Sequence, residues 1–267
     1  MELEAVNVRR HIRQLRKSLK SLPSDPSVKD IQDLRKRVRR AETIIIAYMP
    51  GKQKRSRQLL KTLKSVCKAA GAVRDMDVLA AKARGLGGQS HDNSFTLLLE
   101  HLQAARIAST AKLSEQVESD GKDVRRRLKE LSDQVAERFK KENSRRTAKT
   151  ASDRLHGDAA NKLMDALGQW PAFNAENLHR FRIKLKKLRI VLQLAEDPNA
   201  DFAQALEEVK DKIGDWHDWQ QMKLIAEKVL DRTEGGWALK KTAAMERSKF
   251  NEALGAARTM KTTYLRA

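Results

Sequence analysis

Apolar residues at Leu178, Phe181, Leu185, Leu188 and Leu192 stand three or four positions apart. That spacing gathers them on one face of an α-helix. The same period runs through Ile31, Leu34, Val38, Ala41 and Ile45. No segment alternates apolar and polar positions over the length of a strand, so the pattern predicts an all-α fold without sheet. Breakers divide it into helices over about Leu3–Leu22, Val28–Met49, Lys52–Ala83 and Phe95–Glu142, the last interrupted near Ser119-Asp120-Gly121. A helix over about Lys149–Leu167 follows, then one capped by Asn174, one over about Phe202–Leu230, and a last one running towards Leu265.

The order of elements recurs. "IQDLRKRVRRAE" (Ile31 to Glu42) aligns with "LHRFRIKLKKLR" (Leu178 to Arg189) at an offset of 147 residues. The apolar positions coincide, Arg35 matches Arg182, and Arg39-Arg40 match Lys186-Lys187. "AGAVRDMDVL" (Ala70 to Leu79) aligns with "IGDWHDWQQM" (Ile213 to Met222) at an offset of 143, pairing Gly71 with Gly214, Arg74 with His217 and Asp75 with Asp218. Two motifs in one order at nearly constant offset indicate a duplicated helical unit. The expected architecture is two pseudo-twofold-related antiparallel bundles forming one compact unit with a basic groove between them. The first repeat is expected over residues 1–143 and the second over 144–267.

Charge changes the picture next. The 267 residues carry a net charge of +20, which calls for an anionic partner such as nucleic acid, a membrane surface or another polyanion. Aromatic residues make up only 4%, which disfavours stacking on bases. Cys67 is the sole cysteine, so neither an internal disulfide nor a cysteine-based zinc site is available. The start, "MELEAVNVRR", lacks a signal-peptide core, and "IIIAYM" (Ile44 to Met49) is too short to span a bilayer. The expected setting is cytoplasmic, without membrane insertion.

The basic residues fall beside the apolar stripes. His179, Arg182, Lys186 and Arg189 lie about 100° round the helix from Leu178 and Phe181. The first copy has Gln32, Arg35, Arg39 and Glu42 there. Solvated Lys/Arg faces are common on helices, but the duplication and the lack of acids in "NLHRFRIKLKKLR" favour anion binding. The candidate binding residues are Arg35, Arg39, Arg40, Lys61, Lys64, Lys68, Arg74, His179, Arg182, Lys186, Lys187, Arg189 and His217. For His179 and His217, ligand contact and a structural role both stay open. Gly71 and Gly214 suggest close helix packing, and Asp75 and Asp218 suit charge-assisted hydrogen bonds to basic side chains. A metal site from His179, His217, Asp218 and Asp75 lacks any short ligand spacing, so no metal or other cofactor is expected. No Walker loop, nucleophile elbow or His-Glu-x-x-His motif occurs.

At these residues the chain resembles the CHAD family, the conserved histidine α-helical domain. "LHRFRIKLKKLR" is similar to its histidine helix; "GAVRDMDVL" and "GDWHDWQQM" are similar to its Gly-x-x-[Arg/His]-Asp motif. The resemblance covers nearly the whole chain. It implies two pseudosymmetric helical bundles that bind inorganic polyphosphate in a basic groove, often at polyphosphate granules. Two departures stand out: Gln32 replaces the usual histidine, and Glu42 a usual basic residue, which implies a weaker grip by the first half. Val6 in "ELEAV" stands where a fused triphosphatase domain would have lysine, so a stand-alone binding module, not an enzyme, is expected. Non-specific nucleic-acid binding is the alternative. A metal-dependent phosphohydrolase is less favoured, because only Asp75, Asp77 and Asp218 are candidate carboxylates.

Overall fold

The computed structural model describes residues 2–48, 54–87, 93–142, 160–194, 200–230 and 236–265. Among them are eight helices and no strand. They are α1 (Glu2–Lys20), α2 (Val28–Tyr48), α3 (Lys54–Gly87), α4 (Ser94–Glu142), α5 (described over 160–168), α6 (Ala175–Leu194), α7 (Ala200–Val229) and α8 (Gly236–Tyr264). The expected all-α fold is thus observed. The Pro50-Gly51 stop and the "NSRRTAKTASD" link lie outside the described residues.

Packing divides the chain into two compact units. One is Met1–Gly85 with Leu99–Arg146; the other is Leu86–Leu98 with Thr147–Ala267. The first unit buries Ile12 and Leu15 of α1, Ile31, Leu34 and Val38 of α2, Leu63 and Val66 of α3, and Leu113 and Leu128 of α4 in one core. The second buries Leu167 of α5, Leu178, Phe181 and Leu185 of α6, Leu206, Ile213 and Trp216 of α7, and Ala257 and Met260 of α8. Each fully buried Leu or Ile contributes about 1.5–3 kcal/mol of hydrophobic stabilisation, so the apolar stripes hold each unit together internally.

Helix starts repeat with the motifs. Before α2, the Ser27 N–H donates to Asp30 Oδ2 at 3.0 Å and the Asp30 N–H donates to Ser27 Oγ at 3.2 Å. Before α6, the Asn174 N–H donates to Asn177 Oδ1 at 3.1 Å and the Asn177 N–H donates to Asn174 Oδ1 at 2.9 Å. Both are reciprocal capping boxes that satisfy orphan amides of the first turn. They sit at the 147-residue offset of the flanking motifs, so the duplication extends into the caps.

One expectation fails. α4 runs unbroken through Ser119-Asp120-Gly121. A helical glycine costs only about 1 kcal/mol, and Val117 and Val124 on either side are buried in the core. Gly121 also makes room for Arg125, whose Nη1 would lie 3.1 Å from a Cβ there and donates to the Leu19 carbonyl at 3.3 Å.

Candidate anion-binding site

In the first unit, α2 and α3 enclose an open pocket of about 530 Å³. It is lined by Arg35, Arg39 and Glu42 from α2 and by Lys64, Cys67, Lys68, Gly71, Ala72 and Asp75 from α3. Residues 35, 39 and 42 share a helix face by their spacing, as do 64, 68, 71 and 75. The apolar stripe therefore fixes the pocket: once Leu34 and Val38 turn into the core, Arg35 and Arg39 stand at its edge.

Arg35 is the anchored member. Its Nη1 donates to the Cys67 carbonyl at 3.1 Å. A Cβ on Gly71 would sit 2.6 Å from the same nitrogen, so only glycine leaves the guanidinium this path across the helix. Burial works against the charge of Arg35, with Arg39 and Arg74 adding to that effect and Asp75 opposing it. Arg74 bonds Asp75 at 3.0 Å.

The second unit repeats the contact. Arg182 Nε donates to the Lys210 carbonyl at 3.0 Å, and a Cβ on Gly214 would lie 2.6 Å from Arg182 Nη2. Cys67 and Lys210 each precede their glycine by four residues. In both units an arginine crosses a glycine and bonds the carbonyl one turn earlier. This is the close approach that the two glycines signalled.

Beside Arg182, the His179 and His217 rings meet edge-on with centroids 4.7 Å apart. Burial pushes the His179 pKa below its ordinary value, and the nearby His217, Arg182 and Lys186 push the same way. Its Nδ1 is buried without a hydrogen-bond partner among the described residues. Arg189 forms an ion pair with Glu207 at 2.5 Å, and Lys210 pairs with Glu207 and, at 3.1 Å, with Asp211.

The structure thus brings together Arg35, Arg39, Lys64 and Lys68, with Arg74 alongside, and separately His179, Arg182, Lys186 and His217. Three candidates stand apart. Arg40 is exposed and acts electrostatically on His11 of α1. Lys61 and Lys187 are exposed, and Lys61 does not line the pocket. Sequence reasoning did not foresee the role of the Cys67 and Lys210 carbonyls; the glycine four residues on is their signal.

Asp77 has a structural position. Arg106 Nε donates to its Oδ1 at 2.7 Å, while Nη1 reaches Asp25 at 2.8 Å and Nη2 the Pro26 carbonyl at 2.6 Å. The hydrogen bonds to Asp77 and Asp25 raise the Arg106 pKa despite some burial. Among the described residues, no three His, Cys, Asp or Glu side chains gather as a metal site, and no helix is long and apolar enough to cross a membrane.

A family model described as the CHAD domain matches residues 7–224. The chain belongs to the CHAD family. No curated protein and no solved structure matches it. In this CHAD protein the matched span takes in both arginine–glycine contacts, the histidine pair and both capping boxes.

Proposed function

We propose that this CHAD protein binds inorganic polyphosphate through the Arg, Lys and His faces of its paired helices, without hydrolysing it, and associates with polyphosphate granules in the cytoplasm. The observation that carries the reading is the repeated anchoring of Arg35 and Arg182 on backbone carbonyls. A carbonyl hydrogen bond fixes a guanidinium without neutralising it. The guanidinium is then pre-oriented for phosphate oxygens, and less entropy is lost on binding. Arg39, Lys64 and Lys68 add charge around Arg35. A linear phosphate polymer has charge on each unit and no bases, which suits a basic surface poor in aromatics.

Binding without hydrolysis is supported by the state of two of the three candidate carboxylates. Asp77 is engaged by Arg106 and Asp75 by Arg74. The test is competition. Labelled long-chain polyphosphate is bound to the protein, then challenged with duplex DNA, RNA and heparin at fixed ionic strength. Polyphosphate should resist displacement by equal charge concentrations of the others, and its affinity should fall log-linearly with salt. Ready displacement by DNA would favour a nucleic-acid-binding protein. Steady phosphate release with Mg²⁺, Mn²⁺ or Zn²⁺, lost in Asp75→Asn or Asp218→Asn, would make it an enzyme.

A further inference from the structure

The pocket of the first unit contains a group that a simple anion site would exclude. Glu42 lines it together with Arg35, Arg39, Lys64 and Lys68. Its Oε1 is buried without a hydrogen-bond partner among the described residues. A buried carboxylate oxygen left unbonded is costly, and carboxylate repels bound phosphate. At the equivalent positions of the second unit the charges are reversed. Arg189 replaces Glu42, Glu207 replaces Lys64, and those two form an ion pair. There Glu207 Oε2 likewise lacks a hydrogen bond, but it lies in an ion pair with Arg189, and Lys210 bonds Oε1; Glu42 has no ion pair among the described residues, which leaves its buried oxygen for a ligand.

We infer that the α2–α3 pocket is a subsite for the terminal, protonatable phosphate of a polyphosphate chain, with Glu42 as the residue that distinguishes an end group from an internal phosphate. The inference rests on the polyphosphate reading and refines it. An internal phosphate has one ionised oxygen and no proton near neutrality. A terminal phosphate has a second ionisation, near pH 6 in a phosphate monoester, and so readily carries one proton. The four cations hold its ionised oxygens, while its P–O–H donates to Glu42 Oε1 in a charge-assisted hydrogen bond. Alternatively, the proton resides on Glu42 and is donated to the fully ionised end group. Either way, one proton lies between two oxygens and no bond other than the hydrogen bond forms. Burial raises the Glu42 pKa, opposed by Arg39 and Lys64, which suits a group that shares a proton.

The experiment is calorimetric titration of the full chain at pH 7 and constant ionic strength. The ligands are linear tripolyphosphate, cyclic trimetaphosphate, which has no end group, and long-chain polyphosphate. Wild type is compared with Glu42→Met, which removes both charge and acceptor, and with Glu42→Gln, which keeps a neutral acceptor. Melting curves check folding. In Glu42→Met the linear ligand should weaken about tenfold, the order expected for one charge-assisted hydrogen bond, while the cyclic ligand should strengthen as repulsion is removed. Glu42→Gln should have an intermediate linear-to-cyclic preference. Equal strengthening of both ligands in Glu42→Met would make Glu42 a mere repulsive charge and overturn the inference. Long-chain binding without tripolyphosphate binding would overturn it too, leaving the polyphosphate reading intact. Failure of all three ligands to bind wild type would overturn both.

Discussion

Arg35 lies across Gly71, its Nη1 3.1 Å from the carbonyl oxygen of Cys67. Arg182 lies across Gly214 in the same way, with Nε 3.0 Å from the Lys210 carbonyl. The glycine has no left-handed backbone role here. It removes a side chain so that a cation can rest on a helix backbone. That links a sequence motif to the orientation of a positive charge.

The glycines are therefore expected to separate binding from stability. In Gly71→Ala or Gly214→Ala the new Cβ meets only the flexible end of an arginine. The helix gains about 1 kcal/mol of propensity and loses one hydrogen bond worth about the same. Thermal melting should shift by no more than a few degrees, about 1 kcal/mol. Polyphosphate affinity should fall about five- to tenfold as the guanidinium leaves its anchored position. Gly214→Ala should have the larger effect, because its Cβ also approaches Arg182 Cζ at 3.2 Å and Nε at 3.4 Å.

Removing cations outright should act mainly through binding, with a stability loss on the order of 1 kcal/mol from the Arg182–Lys210 hydrogen bond. Arg182→Ala combined with Lys186→Ala should weaken polyphosphate binding by about 2–4 kcal/mol, the scale of two charge-assisted contacts. Both residues are half-buried beside, not within, the stripe of Leu178, Phe181 and Leu185. Helical circular dichroism and melting cooperativity should persist. Unchanged affinity would show that this face does not touch the ligand.

His179 contributes to the pH dependence. In the free protein the His179 pKa lies below 6.5, chiefly through burial. A bound phosphate favours imidazolium and raises that value. Binding then takes up a proton at pH values between the free and bound pKa. Affinity should rise as pH falls through the bound-state value and level off only below the lowered free-state value. The plateau thus lies at lower pH than an unperturbed histidine would give. His179→Gln should flatten the profile between about pH 5.5 and 8.5 without abolishing binding, since Arg and Lys stay charged. Identical profiles for the two proteins would assign His179 a purely structural role.

Asp77 and Arg106 should matter for folding and not for ligand. The Asp77 side chain is 8% exposed and that of Arg106 20% exposed, at 2.7 Å from one another. Arg106→Ala leaves the buried carboxylate unpaired and also frees Asp25 and the Pro26 carbonyl. The expected loss is about 3 kcal/mol by denaturant unfolding. Polyphosphate affinity should stay unchanged under conditions where the variant is folded. An undiminished unfolding free energy would count against this clamp.

Much of the fold was legible because its determinants are local. The three-and-four spacing of Ile31, Leu34 and Val38, and of Leu178, Phe181 and Leu185, fixes helices and the side that faces the core. Asn174 was readable as a cap because its acceptor serves amides two and three residues away. The duplicated motifs were legible as matching residue types at a constant offset. Tertiary contact decided the rest. Gly121 reads as a break, yet α4 continues because its flanking valines gain a core and Arg125 fills the space above it. Arg39 and Arg40 are adjacent in sequence, but a 100° rotation puts one in the pocket and turns the other towards α1. Asp77 reads as a free carboxylate until Arg106, 29 residues on, folds back to it. The sequence by itself determined which positions are helical, apolar or charged, because neighbours along one helix set those properties. Only the tertiary structure decided which charges face one another, because that depends on the rotation and spacing of helices brought together from distant parts of the chain.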